Sequence, residues 1–141
     1  MNLQIFTDGP ARGNPGPAGI GVVIYDDQGK VLEEHCRYLG TATNNVAEYQ
    51  ALIAALEIAA KYIPCRIELH SDSELMVRQM SGRYKVKNQG LLLFFQTAQE
   101  MLRRFQGITF ISIPREKNKE ADRLANQAID QAHGSQGALL I

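Results

Sequence analysis

Apolar residues recur along this chain with two periods, two and about 3.6, and the switches between them divide it into nine predicted elements. Residues 3–7 alternate and read as a short strand; after Gly13-Asn14-Pro15-Gly16-Pro17 a second strand covers residues 19–25. Asp26-Asp27-Gln28-Gly29 turns the chain, and a strand over residues 31–38 follows so closely that it must fold back antiparallel, giving a three-stranded meander. Between residues 45 and 62, Leu52, Ala55, Leu56 and Ala59 recur at helical spacing, with Asn44 or Asn45 as the N-cap. A fourth strand is expected over residues 66–70. Ser71 and Glu74 then fit a capping box that opens a short helix to residue 80, ended by Ser81-Gly82. A helix over residues 89–105, a strand over 108–113 closed by Pro114, and a last helix over 118–132 complete the order βββαβααβα.

Against this pattern four acidic residues stand out. Asp8 ends the first strand and is followed by Gly9, which lets a backbone pass close to a ligand; Asp72 ends the fourth strand. Glu48 precedes Leu52 by four residues and Ala55 by seven, and Asp122 precedes Ala125 by three and Ile129 by seven, so both project from apolar helix faces near a helix start. Each has an ordinary explanation alone: a turn former at Asp8, a helix cap at Asp72, compensation of the helix dipole at Glu48 and Asp122. Together they imply a carboxylate-lined site, because in a sheet with strands one and four as neighbours both aspartates emerge at one edge and both helix starts can face them. Clustered carboxylates repel and need cations, so Mg²⁺ or Mn²⁺ with oxygen ligands is expected. Two such ions about 3.5–4 Å apart suit metal-assisted phosphoryl hydrolysis.

Composition narrows the partners. In 141 residues, Lys plus Arg (15) balance Asp plus Glu (15), so no global charge holds a polyanion, and any nucleic acid must be met by local patches and metal. The length suits one domain, with no linker or repeat. We expect residues 1–133 to form it and the apolar tail 134–141, too short for a helix of its own, to dock or fray. No apolar run reaches the roughly 20 residues of a membrane span and no leader is visible, so a cytoplasmic protein without a membrane partner is expected. Cys36 and Cys65 lack metal-site spacing and read as reduced, partly buried thiols. His35, His70 and His133 are assigned no chemistry.

The motifs themselves resemble a known family. Phe6-Thr7-Asp8-Gly9 with Arg12-Gly13-Asn14-Pro15-Gly16-Pro17-Ala18-Gly19, then Thr43-Asn44-Asn45-Val46-Ala47-Glu48-Tyr49, Ser71-Asp72-Ser73, and Pro114-Arg115-Glu116-Lys117-Asn118-Lys119-Glu120-Ala121-Asp122 are similar to those of type 1 ribonuclease H, in family order from residue 6 to about 128. Met80-Ser81-Gly82-Arg83-Tyr84-Lys85-Val86-Lys87 resembles its compact archaeal and bacterial, reverse-transcriptase-like branch. The resemblance implies an α/β, ribonuclease H-like fold, a mixed five-stranded sheet of order 3-2-1-4-5 with helices on both faces. It implies a monomer that cuts the RNA strand of RNA/DNA hybrids by a two-metal mechanism, leaving 3′-hydroxyl and 5′-phosphate ends, with Asp8, Glu48, Asp72 and Asp122 as the metal ligands. Asn14 and Thr43 would meet DNA-strand phosphate, Asn44, Asn45 and the backbone near Gly9 the RNA side, and Arg12 belongs with these substrate contacts. Double-stranded RNA is a candidate second substrate.

Three departures qualify the likeness. Trp is absent, and the stretch where many members carry a Trp-rich basic extension offers Arg83, Lys85 and Lys87 as the nucleic-acid contacts, so hybrid binding should be weak and salt-sensitive. Tyr84 between them suits core or contact equally. Arg115, seven residues before Asp122, stands in the loop where many members have a histidine; a permanently charged guanidinium can orient phosphate but cannot shuttle protons at neutral pH. Pro10 follows Asp8-Gly9, removes an amide and pushes Gly9 toward extended geometry.

Overall fold

The structure is a computed structural model that describes residues 1–140, with side chains through His133. Five strands, β1 (Asn2–Asp8), β2 (Gly16–Tyr25), β3 (Val31–Ala42), β4 (Arg66–Ser71) and β5 (Gly107–Ser112), form one sheet of order β3-β2-β1-β4-β5. β1 pairs antiparallel with β2 and parallel with β4, which pairs parallel with β5. The helices are α1 (Asn44–Ala59), α2 (Glu74–Met80), α3 (Gln89–Leu102) and α4 (Lys119–Leu140). The expected element order and strand order are therefore both present.

The two faces of the sheet are covered differently. On one, Leu3, Ile5, Ile67 and Leu69 alternate along β1 and β4 and bury against Leu52, Ala55, Leu56 and Ala59 of α1, which α3 backs. On the other, α4 lies across β2 and β3. It comes so close that a Cβ on Gly21 would overlap the Ala121 carbonyl and lie 2.9 Å from Ala125 N. Burial of this alternating apolar face is the main stabilising term, and the two helical layers fix where the strand ends lie.

Several boundaries move for identifiable reasons. β2 begins at Gly16 and β3 runs to Ala42, beyond the expected 19–25 and 31–38, because their ladder continues past the end of β1. There the folded-back loop takes the place of β1, with Arg12 N donating to Pro17 O at 2.8 Å and Gly19 N to Pro10 O at 3.2 Å. A proline is tolerated where no third strand asks for its amide. Thr43, rather than Asn44 or Asn45, caps α1, its Oγ1 accepting from Val46 N at 3.2 Å. Ser73, rather than Ser71, caps α2, while Ser71 stays in β4 and accepts from Ser73 N at 3.0 Å. α3 stops at Leu102, short of residue 105, and α4 runs on to Leu140 rather than ending near 132. A helix already nucleated adds residues at little cost, which removes the objection that the tail is too short to start one. Whether the tail docks lies outside the described side chains. Cys36 is exposed on β3 and Cys65 buried before β4, and both are free, with β2 and β1 between their strands. Among the described residues no helix is long and apolar enough to cross a membrane.

Candidate active site at the ends of β1 and β4

The parallel pairing of β1 and β4 carries Thr7 opposite Ser71, so the next rung brings Asp8 beside Asp72. Glu48 reaches the same place from α1, and the approach depends on Gly9, where a Cβ would overlap the Ala47 carbonyl and lie 2.6 Å from Glu48 N. The glycine expected to admit a ligand thus admits a helix. Glu48 lies beyond the first turn of α1, which holds no acidic residue, so dipole compensation does not account for it. Asp122 does lie in the first turn of α4.

Asp8, Glu48 and Asp72 each offer an oxygen within 4.8 Å of the others, and Asp8 and Glu48 are only 5% and 9% exposed. Burial is the main cause that pushes the Asp8 carboxyl from its usual value of 3.8 up to about 8; the charge of Asp72, a hydrogen bond with Asp122 and the Asp122 charge add to it, and the Gly9 amide, 3.0 Å from Oδ1, opposes it. Glu48 is pushed well above the carboxylate range, again by burial first and then by Asp8 and Asp72, against the Gly9 amide and Arg115. Asp72 is raised by burial, with Asn118 and Arg115 resisting. Asp122 stands at the edge of the trio beside Asp8, its Oδ1 accepting from Asn126 Nδ2 at 3.1 Å.

A divalent cation with oxygen ligands fits this donor set. Glu48 Oε1 is buried without a hydrogen-bond donor, and carboxylate oxygens within 4.8 Å of one another can close around an ion with bonds of about 2.0–2.5 Å. No histidine or thiol belongs to the trio, which favours hard cations over zinc or copper. Arg115, on a single turn of 3-10 helix after Pro114, lines a cleft of about 490 Å³ with Asp72, Glu74 and Ser112. A cavity of about 370 Å³ beside Phe6, Tyr25 and the start of α4 holds none of the four carboxylates.

The expected substrate contacts divide into two groups. Around the α1 start, Asn44 Oδ1 accepts from Ala11 N at 2.8 Å and Asn14 Oδ1 accepts from Asn44 N at 3.1 Å. Each amide therefore spends its acceptor on tying the loop to the start of α1 and keeps its Nδ2 donors for other partners. Thr43 caps the helix beside exposed Asn45. Arg12 is held by α4, its guanidinium 2.7 Å from Asp130 and 3.0 Å from Asn126 Oδ1. The second group, Arg83, Lys85 and Lys87, is exposed beyond α2 and lines a cleft of about 410 Å³ with Leu75 and Tyr84. Tyr84 is 47% exposed with the Arg78 guanidinium 5.2 Å from its ring centre, so it is not core.

Two residues near the carboxylates carried no flag in the pattern. Asn126 donates to Asp122, and Asn118 donates to Thr7 O and approaches Asp72. Their spacing of four on either side of Asp122, along one helical face, was the available signal.

The chain is similar to known proteins over most of its length. The model of a family described as reverse transcriptase-like matches residues 6–128. The chain is 47% identical over 139 residues to the bifunctional protein Rv2228c of Mycobacterium tuberculosis, covering 98% of this chain and 38% of that protein, so it spans under half the length of that relative. It is 42% identical to ribonuclease HI of Halobacterium salinarum, covering 92% of this chain and 65% of that one. Among solved structures, LC11-RNase H1 in complex with an RNA/DNA hybrid superposes with a TM-score of 0.89 at 50% identity, covering 92% of this chain and 98% of the other.

Proposed function

The chain belongs to the reverse transcriptase-like family, among the type 1 ribonucleases H, and from that membership we propose that it hydrolyses the RNA strand of RNA/DNA hybrids as an endonuclease, leaving 3′-hydroxyl and 5′-phosphate ends. The observation that carries the reading is the buried trio Asp8, Glu48 and Asp72, whose oxygens lie within 4.8 Å of one another with Asp122 beside them. Its resemblance to LC11-RNase H1, which was solved with a hybrid bound, supports the substrate.

Asp8, Glu48, Asp72 and Asp122 would hold Mg²⁺ or Mn²⁺, two ions once substrate is bound. Divalent ions there supply activation of the attacking water and neutralisation of charge at the leaving oxygen. The chain's own residues prepare that step. With its carboxyl pushed up to about 8, Asp8 holds a proton near neutrality that it would give up in ligating a cation. The Gly9 amide fixes Asp8 Oδ1 as an acceptor at 3.0 Å. Arg115, on the rim beside Asp72, orients the scissile phosphate. The free amide donors of Asn14 and Asn44, with Thr43, Asn45 and the Gly9 backbone, meet phosphate and the 2′-hydroxyl that marks RNA. Arg12, Arg83, Lys85 and Lys87 extend the contact along the duplex. We place the activity in a monomer in the cytoplasm, a reducing compartment that suits the two free thiols.

The test is a labelled duplex of about three helical turns prepared as RNA/DNA, RNA/RNA, DNA/DNA and single-stranded RNA, incubated with Mg²⁺, Mn²⁺ or chelator. Metal-dependent cutting of the RNA in the hybrid, lost in Asp8→Asn, is expected, and the RNA/RNA arm ranks the second substrate. Binding of the hybrid without cutting in either metal would refute the nuclease.

A further inference from the structure

Resting on the nuclease reading above, we propose that Asn118 is a positioning residue: its side-chain amide holds the Asp72 carboxylate and the strand end bearing Asp8 in the relative placement that cation binding and turnover require. Asn118 lies between the turn that carries Arg115 and the first residue of α4, and is 1% exposed. Its Nδ2 donates to Thr7 O at 2.8 Å, the peptide just before Asp8, and comes within 3.5 Å of Asp72 Oδ2. A carbonyl is an acceptor alone, so the amide has one sensible orientation, nitrogen toward Thr7 O, and its two protons can serve Thr7 O and Asp72 Oδ2 together. The longer of the two contacts is of the kind that tightens when an active site is loaded.

The backbone of the same residue extends the connection. Asn118 N donates to Arg115 O at 2.9 Å, and Asn118 O accepts from Asp122 N at 3.1 Å. One residue thus ties together the segments that carry Asp8, Asp72, Arg115 and Asp122. Packing alone does not ask for an amide here. Asn118 Oδ1 is buried with no hydrogen-bond partner, a cost that an apolar side chain at the same position would avoid. A fully buried amide that leaves one end orphaned while the other faces a site carboxylate is best accounted for by what the donor does.

A structural tie and a positioning tie differ in what they move. Loss of the first lowers melting temperature; loss of the second weakens cation binding and turnover. We would therefore measure, for the wild type, Asn118→Ala and the near-isosteric Asn118→Asp, the melting temperature, the Mn²⁺ affinity without substrate by calorimetry, and kcat and KM on the hybrid. The expected result is a fall in kcat of about 10- to 100-fold and Mn²⁺ binding weaker by about tenfold, with little change in KM. A folded variant whose kcat and Mn²⁺ affinity both stay within about twofold of wild type would overturn the proposal.

If neither variant folds, the wild type decides. The side-chain amide signals of Asn118 in a ¹H–¹⁵N spectrum should shift as Mg²⁺ is added, with the same midpoint as the Asp72 backbone amide; signals that stay fixed to saturation overturn the proposal. A wild type that neither cuts hybrid nor binds Mn²⁺ removes the nuclease reading and this inference with it. An active wild type with an equally active Asn118→Ala removes this inference alone.

Discussion

Asp8→Asn should abolish hybrid cleavage and, at pH 8 with chelator present, melt at a higher temperature than the wild type. The Asp8 carboxyl is 5% exposed and is pushed from 3.8 to about 8, chiefly by burial and then by Asp72 and Asp122. Between those values the folded protein keeps a proton that the unfolded chain gives up. The contribution of Asp8 to stability is therefore fullest below about pH 4, falls as pH climbs, and levels off above about 8. At 1.36 kcal/mol for each step of one in pH, the loss has an upper bound of about 6 kcal/mol. Asparagine keeps the shape and an acceptor for the Gly9 amide but never ionises, so it escapes that loss. Even a third of it, about 2 kcal/mol, corresponds to about 6 °C for a domain of this size. The assay is thermal unfolding of both proteins in EDTA at pH 5 and pH 8. The variant's advantage should widen with pH. Saturating Mg²⁺ should then raise the wild type and leave Asp8→Asn nearly unmoved, since only a bound cation adds stability by mass action. A variant that melts at or below the wild type at pH 8 in EDTA would refute the electrostatic account of the trio.

Other perturbations reach the remaining parts. Gly9→Ala puts a methyl group onto the Ala47 carbonyl and 2.6 Å from Glu48 N, so α1 must retreat from β1; we expect a loss of about 3 kcal/mol in urea denaturation and a large fall in turnover, and wild-type stability would contradict the close approach. Arg115→Ala should lower kcat by about tenfold, a smaller loss than any of the carboxylates; an unchanged rate removes its role in orienting phosphate. Lys85→Ala and Lys87→Ala should each make the dependence of log affinity for hybrid on log salt shallower by about 0.9, measured by fluorescence anisotropy with chelator present. An unaltered slope would place their loop off the duplex.

What could be read from the chain and what could not follow from the range of the interactions concerned. The apolar stripe of α1 makes Glu48 conspicuous, and the register of β1 with β4 follows from two alternating strands, so the meeting of Asp8, Glu48 and Asp72 was legible. The α1 cap was not, because Thr43 and Asn44 are both good capping residues. The choice turns on Asn44 Oδ1 being taken by Ala11 N, a partner 33 positions away. The added length of β2 and β3 was hidden for a similar reason: Pro17 reads as a strand breaker until the loop around Arg12 stands in for a third strand. Asn118 bonds to a residue 111 positions distant and looks like any helix-start asparagine in the local sequence. The position of Glu48, one or two residues deeper in α1 than expected and so just past its first turn, follows from the same misplaced cap.

The four carboxylates are strung from residue 8 to residue 122, with Arg115 and Asn118 close before the last of them. During synthesis β1, α1 and β4 leave the ribosome well ahead of α4, which carries Asp122 and covers the glycine-lined face of β2. A chain made only as far as β4 and the residue after it therefore carries three of the four carboxyl groups, without Asp122 and without the helix that covers β2. On the proposed function, activity would then switch on when α4 is in place rather than growing with chain length. The first cut made by a newly synthesised molecule would then report that α4 has docked.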